Sequence, residues 1–130
     1  MHVTNELEFF GNKNELEFYY NKFNFEFIKK HPSYFTDYYN IKYWRYKNWG
    51  TDTEMKIIHK NLVWDRLEQK LSIRFDTNYP PLKIINYFAL KNPHLILKLY
   101  FYDFYDGINA EYEWKDGISE NIFQYQIYNI

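Results

Sequence analysis

The side chains of this chain that could bind a metal or transfer a proton are histidines and paired carboxylates. No metal-ligand spacing links the four histidines, which are His2, His31, His59 and His94. The chain has no cysteine, so a thiolate metal site and a disulfide framework are both excluded. The glutamate pairs 6/8 and 111/113 have i,i+2 spacing, which is typical of one solvated face of a strand. We therefore predict no metal, no cofactor and no catalytic residues.

The other common catalytic motifs point the same way. No serine lies in a nucleophile elbow, and only four glycines are present, none of them in a phosphate-binding loop. Asp76 is the acid most expected to be partly buried, but it precedes Thr77 and a double proline. That context is typical of a residue that caps the following helix. The sequence accordingly predicts a protein that is not an enzyme.

A basic, aromatic segment at residues 42–49 could bind a partner. Residues 29–74 carry ten basic and five acidic side chains, although the whole chain has a net charge of -1. Interleaved Trp44, Arg45 and Lys47 would suit stacking on single-stranded nucleic acid. The alternative is an ordinary strand, with Trp44 and Tyr46 on one face and the two basic residues on the other. Both interpretations predict that 44–49 is a strand.

Composition indicates one globular domain. The chain has 130 residues, 46% of them hydrophobic and 24% aromatic, which is enough for a single core spanning residues 1–130. Its near-neutral charge argues against a function based on global attraction to nucleic acid or to an anionic membrane. The first residues resemble no secretory signal, and no segment is apolar enough to span a bilayer. We therefore expect a cytoplasmic protein without membrane contact.

Periodicity then predicts the elements that position these residues. Alternation predicts strands at 3–9 and 70–75, and helical spacing with an asparagine cap predicts a helix near 14–23. The double proline at 80–81 predicts the start of a second helix that ends before Asn92-Pro93. The turn dipeptides Asp106-Gly107 and Asp116-Gly117 separate three final strands, at 95–103, 108–115 and 121–128. Residues 25–43 and 52–64 give no clear prediction.

This order predicts an α+β fold, a ferredoxin-like βαββαβ sandwich whose mainly antiparallel sheet is extended by two C-terminal strands. The blocks Asn48-Trp49-Gly50-Thr51 and Phe75-Asp76-Thr77 through Pro80-Pro81, followed by a helix, a strand and Glu111-Tyr112-Glu113, point to a known family. Over residues 3–115 the chain resembles the YubB-type ferredoxin-like domain of phage and plasmid proteins. The resemblance implies a mobile-element origin. It implies no activity, because none is established for that family.

The sequence thus favours an accessory factor of a phage or plasmid that binds a host protein or complex, such as an inhibitor of a CRISPR-Cas defence system. Its expected contact is the last strand, because residues 121–130 carry no charge and no proline to protect a sheet edge. The alternative is that residues 25–43 cover this segment, or that it is an inner strand. Alternation places Phe123 and Tyr125 on one face of that strand, and the other face holds Gln124, Gln126 and Tyr128. A partner strand or a second copy of the chain could pair there. The alternative is single-stranded nucleic-acid binding through residues 42–49.

Overall fold

A computed structural model describes residues 2–65 and 67–127. The described part of the chain contains four helices, α1 (Lys13–Lys22), α2 (Phe25–Ile28), α3 (Tyr38–Trp49) and α4 (Leu82–Lys91). It also contains six strands, β1 (Val3–Phe10), β2 (Lys56–Trp64), β3 (Gln69–Thr77), β4 (Ile96–Asp103), β5 (Ile108–Lys115) and β6 (Ile118–Gln126). None of these helices is long and apolar enough to cross a lipid bilayer.

The strands form one open sheet in the order β2-β3-β1-β4-β5-β6, and every neighbouring pair is antiparallel. The α+β class is therefore confirmed. One face of the sheet is buried beneath the helices, as in β1, where every second residue from Val3 to Phe9 is buried. The opposite, open face carries the intervening polar residues. β2 and β6 are the two edge strands.

The core is mainly aromatic. Phe9 of β1 packs edge-on against Phe23 and Phe88, with ring centroids 4.8 and 5.9 Å away. A second group joins Phe25 to Trp49 at 5.6 Å and to Phe75 at 5.8 Å. Such edge-to-face pairs add to the free energy that burial supplies. Trp49 is completely buried.

The two sequence blocks that carry the family resemblance pack against each other. Gly50 ends α3 with a φ of 86°, and an added Cβ would lie 3.1 Å from the Pro80 carbonyl oxygen. Next to it, Thr51 Oγ1 accepts a hydrogen bond from the Tyr79 N–H at 3.2 Å. Asn78 Nδ2 donates to the Asp52 carboxylate at 2.9 Å. These contacts connect the end of α3 to the turn between β3 and α4, so the blocks have a structural role.

The open face near β1 and β3 carries paired charges. Glu6 lies opposite Arg74 with their charged groups 3.7 Å apart, and Lys70 contacts the Glu8 carboxylate at 2.8 Å. Thr4 Oγ1 donates to Asp76 Oδ1 at 3.1 Å. The prediction that Asp76 caps α4 is therefore wrong: Pro81 is the N-cap residue of that helix, without a side-chain cap hydrogen bond.

The predicted strand at 44–49 is also wrong, because these residues belong to α3. Asp37 begins the helix by accepting a hydrogen bond from the Tyr39 N–H at 2.7 Å, and left-handed Gly50 ends it. The two cap signals at the ends of this twelve-residue helix predict its structure better than a short run of alternating aromatic and basic side chains does.

The last strand begins earlier than predicted, at Ile118.

Candidate interaction surfaces

Strand β6 is the most exposed element of the sheet. It pairs with β5 on one side, and all nine of its residues, Ile118–Gln126, are exposed to solvent. The prediction that the last strand lies at a sheet edge is therefore confirmed. Tyr128, which was grouped with Gln124 and Gln126, lies outside the described residues. Edge strands offer unpaired main-chain groups to other chains unless a structural feature blocks them.

The free main-chain groups of β6 can be assigned to particular residues. Ile127 donates its N–H to the Gly107 carbonyl of the β5 side at 2.8 Å, and Tyr125 lies opposite Asn109. Main-chain groups alternate between the two sides of a strand. The N–H and C=O groups of Gln124 and Gln126 therefore point away from β5, toward the free edge. These two residues can accept a further strand without breaking the pairing of β6 with β5.

Part of this edge is protected, contrary to expectation. The register between β5 and β6 shifts between Glu111 and Tyr112, which lie opposite Phe123 and Asn121, so Ile122 has no partner and forms a bulge. Bulges disrupt a ladder and discourage pairing beyond them. The strand also includes Glu120, which precedes the uncharged segment. A regular free edge is therefore limited to the residues that follow Ile122.

Aromatic rings cover the open face next to this edge. Phe123 and Tyr125 lie nearly parallel with their ring centroids 5.8 Å apart, and Tyr100 of β4 lies 6.2 Å from Phe123. Tyr102 packs edge-on against Phe104 at 4.4 Å. The sequence analysis did not identify these β4 residues as part of a surface. Alternation would have found them, because Leu97, Leu99 and Phe101 of the same strand are the buried ones.

The acidic side chains of the open face differ between its two ends. Glu6 and Glu8 form ion pairs, as described above. Glu111, Glu113 and Glu120 lie on β5 and β6, and none of the ion pairs among the described residues includes them. Glu113 is directly opposite Glu120 in the strand register. Opposed like charges are unfavourable in a sheet. Lys98 of β4 lies opposite Glu113 on its other side, so Glu111 and Glu120 are the acids of this end that have no basic residue opposite them in the strand register.

Trp44, Arg45 and Lys47 do not form a common surface. Trp44 packs edge-on against buried Trp49 at 6.1 Å, and Arg45 lies over the Trp49 ring at 4.9 Å while donating to Glu26 at 3.0 Å. These two side chains therefore support the helix layer. Lys47 is exposed and lies 5.5 Å from the Tyr43 ring. The basic aromatic segment is split between an inner and an outer helix face.

The outer face of α3 is a second aromatic surface. Tyr39, Tyr43 and Tyr46 are exposed at helical spacing, with 82%, 64% and 47% of their surface accessible. Lys47 lies beside them, and Lys42 is paired with Asp52 at 3.5 Å. Of these tyrosines only Tyr46 lies in the predicted strand at 44–49, because Tyr39 and Tyr43 belong to residues 25–43, for which there was no clear prediction. The signal for a helix was the pair of caps at its ends.

Two of the four histidines contact nearby glutamates. His31 contacts Glu26 at 2.6 Å, and His94 contacts Glu15. Burial acts to raise the pKa of Glu26, but the hydrogen bonds and charges of His31 and Arg45 outweigh it and lower that pKa. Among residues 2–65 and 67–127, no group of three histidine, aspartate or glutamate side chains is arranged to hold a metal ion.

Two of the clefts in the described part of the chain have aromatic or acidic linings. One, of about 370 Å³, lies between α1, α2 and α4 and is lined by aromatic rings such as Phe18, Phe27 and Tyr87. The other, of about 330 Å³, lies where β1, β3 and β4 end, and its Asp103 carboxylate accepts hydrogen bonds from the N–H groups of Tyr105 and Asp106. That carboxylate stabilises a turn.

A comparison with known proteins found no matching family model, no similar curated sequence and no similar solved structure.

Proposed function

We propose that this chain is a non-enzymatic binding protein that recognises another protein by accepting a strand at the free edge of β6. The observation that carries this proposal is the edge itself: β6 is exposed throughout, and within residues 2–65 and 67–127 no strand lies next to the outward main-chain groups of Gln124 and Gln126. Strand addition supplies main-chain hydrogen bonds for affinity, and side-chain contacts on the two faces supply specificity. Phe123 and Tyr125 provide such contacts on the open face.

The biological setting is a further part of the proposal. The order β2-β3-β1-β4, with helices in the connections that follow β1 and β3, supports a ferredoxin-like sandwich to which β5 and β6 are added. Together with the resemblance to the YubB-type domain, this supports an accessory factor of a phage or plasmid. We propose that it acts in the host cytoplasm on a host protein or complex, with inhibition of a defence system such as CRISPR-Cas as the leading case.

A proline substitution tests the edge without disturbing β5. Gln124→Pro removes a main-chain N–H that points to the free edge, whereas Gln124→Ala keeps that N–H and is the matched control. We expect the tagged Gln124→Pro protein to retain much less host partner than the Gln124→Ala protein and to lose protection of phage in an interference assay. Equal thermal unfolding of the two variants would show that the domain is intact. Equal retention by both would refute strand addition at β6.

A second copy of the chain is the alternative occupant of the same edge. Two β6 strands related by a two-fold axis would form an isologous contact. Light scattering of the purified chain distinguishes this case, because a dimer that dissociates on Gln124→Pro but not on Gln124→Ala would assign the edge to self-association.

Single-stranded nucleic-acid binding is the second candidate function. The observation that favours it is the outer face of α3, where Tyr39, Tyr43 and Tyr46 are exposed beside Lys47. Aromatic side chains next to a positive charge can stack bases without reading their sequence. This surface is a helix face, and Trp44 and Arg45 are not part of it.

A further inference from the structure

The pairing of β6 determines which side chains of an added strand would meet the aromatic surface. Side chains of adjacent strands lie on the same face when their residues are opposite each other. Residues of the added strand opposite Phe123 and Tyr125 would therefore project over the open face, and those opposite Gln124 would project toward the helix side. Recognition on the open face thus depends on alternate residues of the partner segment.

The charges at this end of the sheet are what those alternate residues would encounter. Glu111 lies opposite Phe123 on the neighbouring strand, and Glu113 and Glu120 oppose each other on the far side of the bulge. In the part of the chain that the structure describes, none of the three carboxylates has a lysine or arginine within ion-pair distance. The equivalent acids of β1 are neutralised by Lys70 and Arg74. Lys98 of β4 lies opposite Glu113, so the acids of the β5–β6 end without a basic residue opposite them in the strand register are Glu111 and Glu120.

We propose that the segment recognised at β6 is cationic, with arginine or lysine at alternate positions that face the open side. This inference rests on strand addition at β6, the function proposed above. Neighbouring strands lie about 4.8 Å apart, so a long basic side chain from the added strand can cross the Phe123 ring toward Glu111. A cation over an aromatic ring within about 6 Å is attracted by the ring itself. The carboxylate behind the ring adds a second attraction.

Charge complementarity favours a cationic protein segment over a nucleic acid and over a second copy of the chain. A nucleic acid would bring phosphates to a surface where Glu111 and Glu120 have no basic residue opposite them in the strand register, so its approach is opposed. A second copy of the chain would bring the same carboxylates from its own β5 and β6, so self-pairing adds negative charge. A cationic protein segment is the only one of the three that neutralises it.

Two labelled peptides and one pair of charge-reversal variants test the proposal. One peptide alternates threonine with arginine, and the other alternates threonine with glutamate at the same length. Fluorescence anisotropy with the full chain at low salt should show that the arginine peptide binds at least about tenfold more tightly, and that this preference declines as salt rises. Glu111→Lys should abolish the preference.

Glu17→Lys is the matched control, because it changes the net charge equally but lies on the exposed face of α1. Equal loss of arginine-peptide binding in Glu111→Lys and Glu17→Lys would overturn the proposal. It would show that peptide binding depends on the net charge of the protein and not on the position of Glu111. Equal binding of both peptides to the unaltered chain would also overturn it. If Gln124→Pro still abolishes partner retention in that case, strand addition stands and only the cationic assignment fails.

Discussion

Replacement of Trp49 by alanine is the substitution whose cost the structure predicts most directly. The side chain is fully buried, and its indole N–H donates to the Lys29 carbonyl at 2.9 Å. Removing a buried tryptophan side chain costs about 3–5 kcal/mol. The lost hydrogen bond leaves the Lys29 carbonyl without its partner and adds about 1 kcal/mol. We therefore expect the free energy of unfolding to fall by about 4–6 kcal/mol, which is much of the total for a typical domain.

Urea denaturation followed by far-UV circular dichroism measures this loss. With an m-value of about 2 kcal/mol per M, the midpoint of Trp49→Ala should fall by about 2–3 M. Tyr39→Ala is the control on the same helix, because Tyr39 is 82% exposed, and its effect should stay within about 0.5 kcal/mol. If Trp49→Ala unfolds at the midpoint of Tyr39→Ala, the structural role assigned to Trp49 is refuted. Normal stability with lost partner retention would identify Trp49 as a binding residue instead.

The remaining predictions concern Glu26 and α3. Because the pKa of Glu26 is lowered in the fold from its usual 4.5, its ionised form contributes stability above that pH, and this contribution is lost as pH falls through the lower folded pKa. Glu26→Gln should therefore flatten the decrease of the urea midpoint below about pH 4.5, and identical acid profiles would contradict the role of the His31 and Arg45 contacts. If α3 stacks bases, Tyr43→Ala should weaken oligonucleotide binding by about 1–3 kcal/mol, whereas flat anisotropy at low salt removes that function.

The central strands β1, β3 and β4 could be predicted from the sequence because each has one buried face. The alternation in β1 and β3 is regular, and it places Glu6 and Arg74 together on the open face. The last turn was equally clear: Asp116 and Gly117 both have positive φ, which a short hairpin turn of this type requires. Local chemistry and tertiary burial agree in these segments, so one pattern suffices.

Helix α3 could not be recognised by periodicity because its side chains do not separate into an apolar and a polar face. Tyrosine, tryptophan and lysine occur all around it, and only Trp49 is fully buried. Neither a period of 2 nor a period of 3.6 therefore stands out. The information was in the caps, Asp37 and Gly50, which mark its two ends. A search for caps on both sides of an aromatic run would have corrected the strand prediction.

The candidate site was only partly predictable. A final strand that follows two tight turns must lie beside the strand before it, so chain order predicts that β6 pairs with β5. Chain order does not predict that β6 is an edge strand, because another segment could have paired with or covered its other side. The bulge at Ile122 and the opposition of Glu113 and Glu120 depend on how β5 and β6 align. That alignment is set by tertiary packing, such as the contact of Trp114 Nε1 with Asn86 of α4 at 3.3 Å. No pattern within β6 itself contains this information.

The exposure of β6 is a reason to expect that this strand recognises a partner. A strand with nine exposed residues buries little apolar surface, so its pairing with β5 adds less to the stability of the domain than the central strands do. Substitutions on its outer side can therefore alter binding while the core around Phe9 and Trp49 stays intact. The bulge at Ile122 restricts strand addition to the part of the edge that follows it. A short free edge flanked by rings and carboxylates can select a partner, whereas a long uniform edge would accept many.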